Sequence, residues 1–417
     1  MQNVYVIGAF TTQFGRHPQK TLRDHTREAY LGVIADAGMD SGRDIDFAWF
    51  GNSMMDYWGQ AIVRGQVCFI PLVNEGLFPE RVPMINVEGG CATGSMAFHG
   101  AWKDILSGQC DLSLAIGVEK LYDRDAGSAI FRCFNGGTAP FDRAELLAEY
   151  NAMSVATGVQ FEPSPDRTLP MDTYAAQAAY HMKKYGTTRE QLAFCASKNH
   201  FHGSLNPNAQ YRFQMSPEEV LADRAVVWPL TRAMCSPIGD GSAAMLLCSE
   251  KYLRGRPEAV RSRAIRVRAS VFTGGKFRNR DEPGLSRVGV DRAYKVAGIT
   301  PRHIDLAEVH DATSFSEIYQ MEMLRFCAEG EGGAFVAAGE TRLGGTIPVN
   351  TSGGLVSKGH PIGATGLSML TELVTQLRNE AGERQVPGAT LALQENGGGL
   401  MGLEEAACSI AILEGPT

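Results

Sequence analysis

No run of 18 apolar residues occurs in the chain, so the sequence predicts no membrane-spanning helix. The opening Met1 to Gly8 reads as a short strand ending in glycine. It lacks the charged and long apolar regions of a signal peptide, so a cytoplasmic location is the expectation. The nine cysteines are scattered, with no Cys-x-x-Cys or other zinc spacing; they read as free thiols and predict no metal site. Positive charge is in deficit. A net charge of −7 argues against general nucleic-acid binding.

One local exception is a basic stretch between Lys251 and Arg280, with Arg254, Arg256, Arg261, Arg263, Arg266, Arg268, Lys276 and Arg278. Ile265-Arg266-Val267-Arg268-Ala269 alternates, which suits the outer face of a strand. The stretch reads either as such a solvated face or as a place where one or two cations hold phosphates.

The 417 residues are 44% hydrophobic, enough for a large core and two or three domains. They contain an internal duplication. A helical pattern from Thr26 to Ala35 ends at Ala37-Gly38 and is followed by Ile45-Asp46 and a strand. Val288 to Val296 ends at Ala297-Gly298 and is followed by Ile304-Asp305 and a strand. Ala92-Thr93-Gly94 leads a helix in the first half, and Ala364-Thr365-Gly366 leads one in the second. Each half closes on similar text, Gly241 to Leu247 and Glu405 to Ala411. Strands alternating with helices at this spacing predict β-α-β units and mainly parallel sheets. Two such halves stacked through helices give an α/β sandwich of five layers, αβαβα. The expected first half is residues 1–121 completed by 230–255, and the second is 256–417. The intervening 122–229, rich in Met, Tyr, Phe, Asn and Gly, is expected as an inserted helical domain that also serves as a lid.

Two glycine-framed turns carry the chemistry. In Gly359-His360-Pro361-Ile362-Gly363 a histidine stands at the mouth of a helix, where backbone N–H groups are unpaired. Cys91-Ala92-Thr93-Gly94-Ser95 follows the strand-like Val82 to Val87 and opens another helix, whose N-terminus favours a thiolate. The duplication makes the two turns equivalent, and both follow strands, so they can converge on one pocket. Cysteine plus histidine in such turns reads as a nucleophile and its base.

These segments resemble the thiolase family, in particular its sterol-carrier-protein-type branch. The Cys91 turn resembles the acyl-accepting segment. Gly359-His360-Pro361, with Asn350 and Gly353-Gly354 before it, resembles a second signature. Val309-His310-Asp311 followed by Glu317 resembles a third. Ser236-Pro237-Ile238-Gly239-Asp240-Gly241 resembles the segment that lies along bound coenzyme A. The resemblance spans essentially the whole chain. It implies catalysis by Cys91, His360 and His310, with His310 supplying an N–H to an oxyanion. It further implies contacts to substrate or coenzyme A at Ser236, Gly239, Asn350, Gly353, Gly397 and Gly398. Coenzyme A enters as a substrate, with no covalently bound cofactor. A homodimer is expected, and some members of the branch pair with a small zinc-ribbon/OB-fold protein.

Two departures matter. The branch often has a cysteine two residues after the histidine of the third motif, where this chain has Ala312. Most thiolases carry a second cysteine in a C-terminal Cys-x-Gly-Gly-Gly turn, where this chain has Glu395-Asn396-Gly397-Gly398-Gly399. Glu395 is therefore the expected acid/base. A carboxyl group starts near a pKa of ~4.3, so burial must raise it towards neutrality for that role. The expected reaction is thiolytic cleavage of a 3-oxoacyl-coenzyme A, or the reverse Claisen condensation, in degradation of the β-oxidation type. The altered acid/base position suggests something other than plain acetoacetyl-coenzyme A, and the resemblance to this branch implies a bulky or aromatic acyl group. The alternatives are retro-aldol cleavage of a 3-hydroxyacyl-coenzyme A and a non-catalytic acyl-coenzyme A-binding subunit.

Overall fold

The computed structural model describes residues 2–125, 129–138 and 142–416. Its first half holds strands β1 (Val4–Thr11), β2 (Phe47–Gly51), β3 (Met84–Val87) and β4 (Leu112–Glu119). Between them lie helices α1 (Leu22–Asp36), α2 (Arg64–Asn74) and α3 (Thr93–Ser107). Five helices follow: α4 (Ala129–Asn135), α5 (Arg143–Thr157), α6 (Leu169–Tyr185), α7 (Arg189–Ser204) and α8 (Pro217–Ala222). A small hairpin, β5 (Ala225–Val227) and β6 (Leu230–Thr231), leads to β7 (Gly241–Ser249) and the short helices α9 (Glu250–Arg254) and α10 (Glu258–Arg261). The second half comprises β8 (Ile265–Gly274), α11 (Leu285–Ala297), β9 (Leu306–Glu308), α12 (Ser314–Met323) and α13 (Gly332–Ala337). It ends with α14 (Gly354–Lys358), α15 (Ile362–Leu377), β10 (Leu391–Gly398) and β11 (Ala407–Glu414).

Nine strands run in the order β3-β2-β4-β7-β1-β8-β11-β10-β9. The β1·β8 junction is narrow: Tyr5 pairs with Arg266 and Val6 with Ile265. It therefore joins two sheets with matching orders. Where the second half lacks a counterpart of β3, Val349 forms a parallel bridge to Ala307 of β9.

The expectation of mainly parallel pairing needs correction. β2 is parallel to β3 and β4, and β10 to β9, but β7 is antiparallel to both β4 and β1, and β11 to both β10 and β8. In each half the last strand enters the middle of the sheet in reverse. The crossovers are as predicted; the closing strand converts most hydrogen-bonded neighbours to antiparallel pairs.

Side-chain alternation builds the layers. Ala244, Leu246 and Cys248 of β7 face α1, whereas Ala243, Met245 and Leu247 face the interior with Phe98 of α3 and Leu370 of α15. On β11, Ile410 and Ile412 pack with Val290 of α11, and Ala411 and Leu413 join the same interior. Helices α3 and α15 thus lie between the sheets, giving the five-layer αβαβα arrangement. Every residue of β4 and β7 is buried, which explains their runs of small and apolar residues up to Glu119 at the end of β4.

The basic stretch is occupied with carboxylates. Arg254 pairs with Glu250, Arg256 with Asp44 and Arg261 with Glu258. Arg263 holds Asp36 and Glu380, Arg266 and Arg268 share Glu414, Lys276 pairs with Glu282 and Arg278 with Glu404. This matches a solvated structural face.

Candidate active site

Helices α3 and α15 meet at their N-termini because both turns are made of small residues. A Cβ on Gly94 would stand 2.9 Å from Leu367 N and 3.0 Å from Gly363 O. This contact brings the duplicated turns together at the ends of the strands. Cys91 lies in a short 3-10 turn, Gly90–Ala92, directly before α3. Gly90 has φ +56, and a Cβ there would lie 2.6 Å from Gly399 N, so only glycine lets the turn fold onto the end of β10. A Cβ on Gly398 would lie 2.8 Å from Cys91 N. Gly398, expected beside the substrate, is thus also what admits the nucleophile's backbone. The half-buried Cys91 packs against a cluster of Met54, Leu121, Ile130 and Ile362, against which Tyr57, Phe131, Phe134 and Ile238 also pack. Ile130, Phe131 and Phe134 come from α4, so the segment after β4 contributes to the same cluster.

His360 precedes α15, and its Nε2 lies 3.1 Å from Cys91 Sγ. Its Nδ1 lies 2.7 Å from Thr365 Oγ1, and the Thr365 hydroxyl donates to Pro361 O at 2.9 Å. With its proton directed there, Thr365 Oγ1 accepts from Nδ1–H. This leaves Nε2 with the lone pair that faces the thiol. Thr365 was legible in the sequence only as a landmark of the duplication; its role as the orienting group was not.

The expected thiolate is corrected by the surroundings. Burial, then the carboxylates of Glu405 and Glu88, push the Cys91 thiol up to about 12. Burial, then His310 and Lys358, hold His360 well below its ordinary value. These shifts favour a neutral thiol against a neutral imidazole.

His310 follows β9, with its ring centroid 5.5 Å from that of His360. It is buried, among the described residues neither ring nitrogen has a hydrogen-bond partner, and burial lowers it to about 4. A fully buried imidazole with two unpartnered nitrogens is costly unless a ligand completes it. One potential ligand atom from each of Cys91, His310 and His360 lies within 4.8 Å of the others.

Asn350 is placed behind His310. Its Oδ1 accepts from Val309 N at 2.9 Å, and its Nδ2 donates to Glu317 at 2.8 Å. Expected beside the substrate, it is instead buried with both carboxamide atoms engaged, fixing the strand end that carries His310. Gly353 is likewise internal, where a Cβ would lie 2.6 Å from Gly203 Cα of α7. Asp311 accepts from Leu355 N at 2.6 Å and Asn199 Nδ2 at 2.9 Å, so it caps α14.

Glu395 is buried on β10. It accepts from His310 N at 3.0 Å and Ser286 Oγ at 3.1 Å, and the Cys408 thiol lies 3.6 Å away. Burial, then repulsion from Glu405, lift Glu395 to about 8. The shift favours its protonated form at neutral pH, and the carboxyl is tied to the backbone of His310. Sequence reasoning missed Cys408, which β10·β11 register sets directly opposite Gly397. The signal was present as a cysteine in the strand that closes a hairpin with the Glu395 strand.

Family models for "Thiolase, N-terminal domain" and "Thiolase C-terminal domain-like" match residues 4–224 and 284–412. The chain belongs to the thiolase family. An acetyl-CoA acetyltransferase of Methanothermobacter thermautotrophicus is 37% identical over 96% of the chain and 98% of that protein. Human sterol carrier protein 2 is 34% identical over 98% of the chain and 74% of that protein, which agrees with the sterol-carrier-protein-type branch. Among solved structures, the Ltp2-ChsH2(DUF35) aldolase superposes with TM-score 0.76 at 21% identity, over 99% of this chain and 98% of that one. Human mitochondrial 3-ketoacyl-CoA thiolase gives 0.67 at 17%, over 100% and 99%. These structures share the fold. The thiolase described here is an acyltransferase with coenzyme A as substrate. Among its described residues no helix is long and apolar enough to cross a membrane.

In this thiolase the Ser236 segment runs beside the site: Ser236 N donates to Ala312 O at 3.0 Å, and Ile238 reaches the Cys91 cluster. Ser236 is half-buried, whereas Gly239 is buried between Gln210 and Gly15.

Proposed function

We propose that the enzyme cleaves a 3-oxoacyl-coenzyme A by thiolysis, with a bulky or aromatic acyl group, in degradation of the β-oxidation type in the cytoplasm. The Cys91–His360 contact beside the unpartnered His310 ring is the observation that carries this reading. Cys91 attacks the 3-oxo carbon while its proton passes to His360 Nε2. His310 offers an N–H to the oxyanion, a type of contact whose removal costs roughly 2.7–4 kcal/mol. The C2–C3 bond breaks, its electron pair forms the enolate of the leaving thioester, and Glu395 delivers a proton to that carbon. In the second half, Glu395 as carboxylate takes the coenzyme A thiol proton. The coenzyme A sulfur displaces the acyl group, and His360 returns its proton to Cys91. Protons balance over the cycle, and the same groups in reverse order perform a Claisen condensation.

The acyl preference rests on Tyr57, Phe131 and Phe134, which pack against the same apolar cluster as Cys91. We take residues 122–229 as the lid that shapes this pocket, 1–121 with 230–255 as the first half, and 256–417 as the second. Asn350, Gly353, Gly397 and Gly398 then act as the frame of the site, with Ser236 and Gly239 along coenzyme A. The direct test supplies 3-oxo-3-phenylpropionyl-coenzyme A with free coenzyme A. Benzoyl- and acetyl-coenzyme A should appear in equal amounts. Cleavage of the 3-hydroxy analogue without use of coenzyme A, and none of the 3-oxo compound, would move the reading to retro-aldol chemistry.

The proposal includes a homodimer, with room for a small zinc-ribbon/OB-fold partner. β3 is the edge of its sheet, and Ile85 on it is 39% exposed. An unpaired apolar edge next to the catalytic turn favours pairing about a two-fold axis. Light scattering at micromolar concentration should report twice the 45.1 kDa chain mass; a monomer contradicts the dimer.

A further inference from the structure

We propose that Glu405 is a positioning carboxylate that sits beside Glu395 in the space left by Gly397 and keeps the proton on Glu395 for the cleavage step. This rests on the acid/base role of Glu395 proposed above. Glu395 and Gly397 are two residues apart on β10, so their Cβ directions share one face of the sheet. A Cβ on Gly397 would stand 2.6 Å from Glu405 Cγ and 2.9 Å from its Cδ and Oε1. The Glu405 carboxyl therefore fills the side-chain position next along the strand from Glu395. Its backbone is anchored at the end of β8, where Gly275 N donates to Ala406 O at 2.9 Å. Glu405 is half-buried, whereas Glu395 is fully enclosed.

Two carboxyl groups this close cannot both ionise cheaply, and the enclosed one keeps the proton. Burial raises Glu405 above the ordinary carboxylate range, and Arg278, ion-paired to Glu404 at 3.6 Å, is the nearby cation that opposes this and favours its charged form. The other titratable groups facing the pair are Cys91 and His310 at the site, Tyr174 on α6, Tyr319 on α12, and Cys408 on β11. Glu405 is also the first charged group acting on Cys91 after burial. Once Glu395 has protonated the leaving enolate, both carboxylates carry charge. Glu395 then becomes a stronger base towards the coenzyme A thiol, which is what the second half-reaction requires.

The test is the pH profile of kcat/KM for the 3-oxoacyl-coenzyme A in the full chain. Its alkaline limb reports loss of the proton from Glu395. Glu405→Gln removes the repulsion, so the limb should move to lower pH by about one unit. At pH 8 the variant should be about fivefold slower than the parent, and near parental at pH 6. Glu405→Asp, which keeps the charge, should restore the limb. A limb that stays in place in Glu405→Gln overturns the inference, since a merely structural role would lower the rate at all pH values alike. Glu395→Gln is measured alongside. Parental turnover in that variant means the acid/base reading itself fails. A crippled Glu395→Gln with an unmoved Glu405→Gln limb means this inference alone fails.

Discussion

Cys91→Ala should abolish cleavage of the 3-oxoacyl-coenzyme A, with turnover falling by about 10⁴-fold or more, as for loss of other paired nucleophiles. The expectation follows from the geometry around the sulfur. His360 Nε2 stands 3.1 Å from it, and Thr365 fixes the imidazole tautomer that can accept its proton. Mixing the parent with acyl substrate in the absence of free coenzyme A should leave an acyl adduct in the intact mass. The adduct should vanish in Cys91→Ser. The burial that pushes the thiol up to about 12 adds a second expectation. Alkylation of Cys91 at neutral pH should be slow and should depend on His360, because the attacking form exists only as the proton leaves. Rapid alkylation unaffected by His360→Ala would show a preformed thiolate. Full cleavage activity in Cys91→Ala would remove the acyl-enzyme from the mechanism.

The fold was legible because a duplication repeats local rules. Ala92-Thr93-Gly94 and Ala364-Thr365-Gly366 were readable as twin helix starts, and the structure shows why both are small: the helices touch there. The reversed entry of β7 and β11 was not legible, since an apolar strand fits a parallel or an antiparallel neighbour equally well and only tertiary closure decides. At the site, Cys91, His310 and His360 were found from their turns and are brought together within 4.8 Å. The protonation of Cys91 was only partly legible. A helix N-terminus favours a thiolate, but burial against Met54, Leu121 and Ile362 and the carboxylates of Glu405 and Glu88 oppose it, and of these only Glu88 lies near Cys91 in the sequence. Asn350 looked like a ligand because it lies in a signature; its carboxamide is occupied by Val309 and Glu317, partners 41 and 33 residues away. Thr365 and Cys408 were missed because each acts through a neighbour that only the folded chain supplies.

Glu395→Gln should lower turnover by roughly 10²–10⁴-fold, the usual cost of removing a general acid or base. The isosteric amide keeps an oxygen for the His310 N–H and Ser286 hydroxyl but cannot deliver a proton to the enolate carbon. The first half-reaction requires Glu395 protonated, and burial with Glu405 nearby lifts it to about 8. In the parent, kcat/KM for cleavage should therefore hold up to about pH 8 and fall above it. In Glu395→Gln that limb should disappear along with the rate. Alkylation separates the step affected from the one spared: acyl-enzyme formation should slow with cleavage, whereas Cys91 should still react with an alkylating agent, because the His360–Thr365 relay does not include Glu395. Glu395→Cys should recover part of the loss, since a thiol can perform the same proton transfer from the same strand position. If Glu395→Gln turned over at the parental rate with its alkaline limb intact, the proton would have to come from elsewhere, and the unpartnered imidazole of His310 would be the next group to replace.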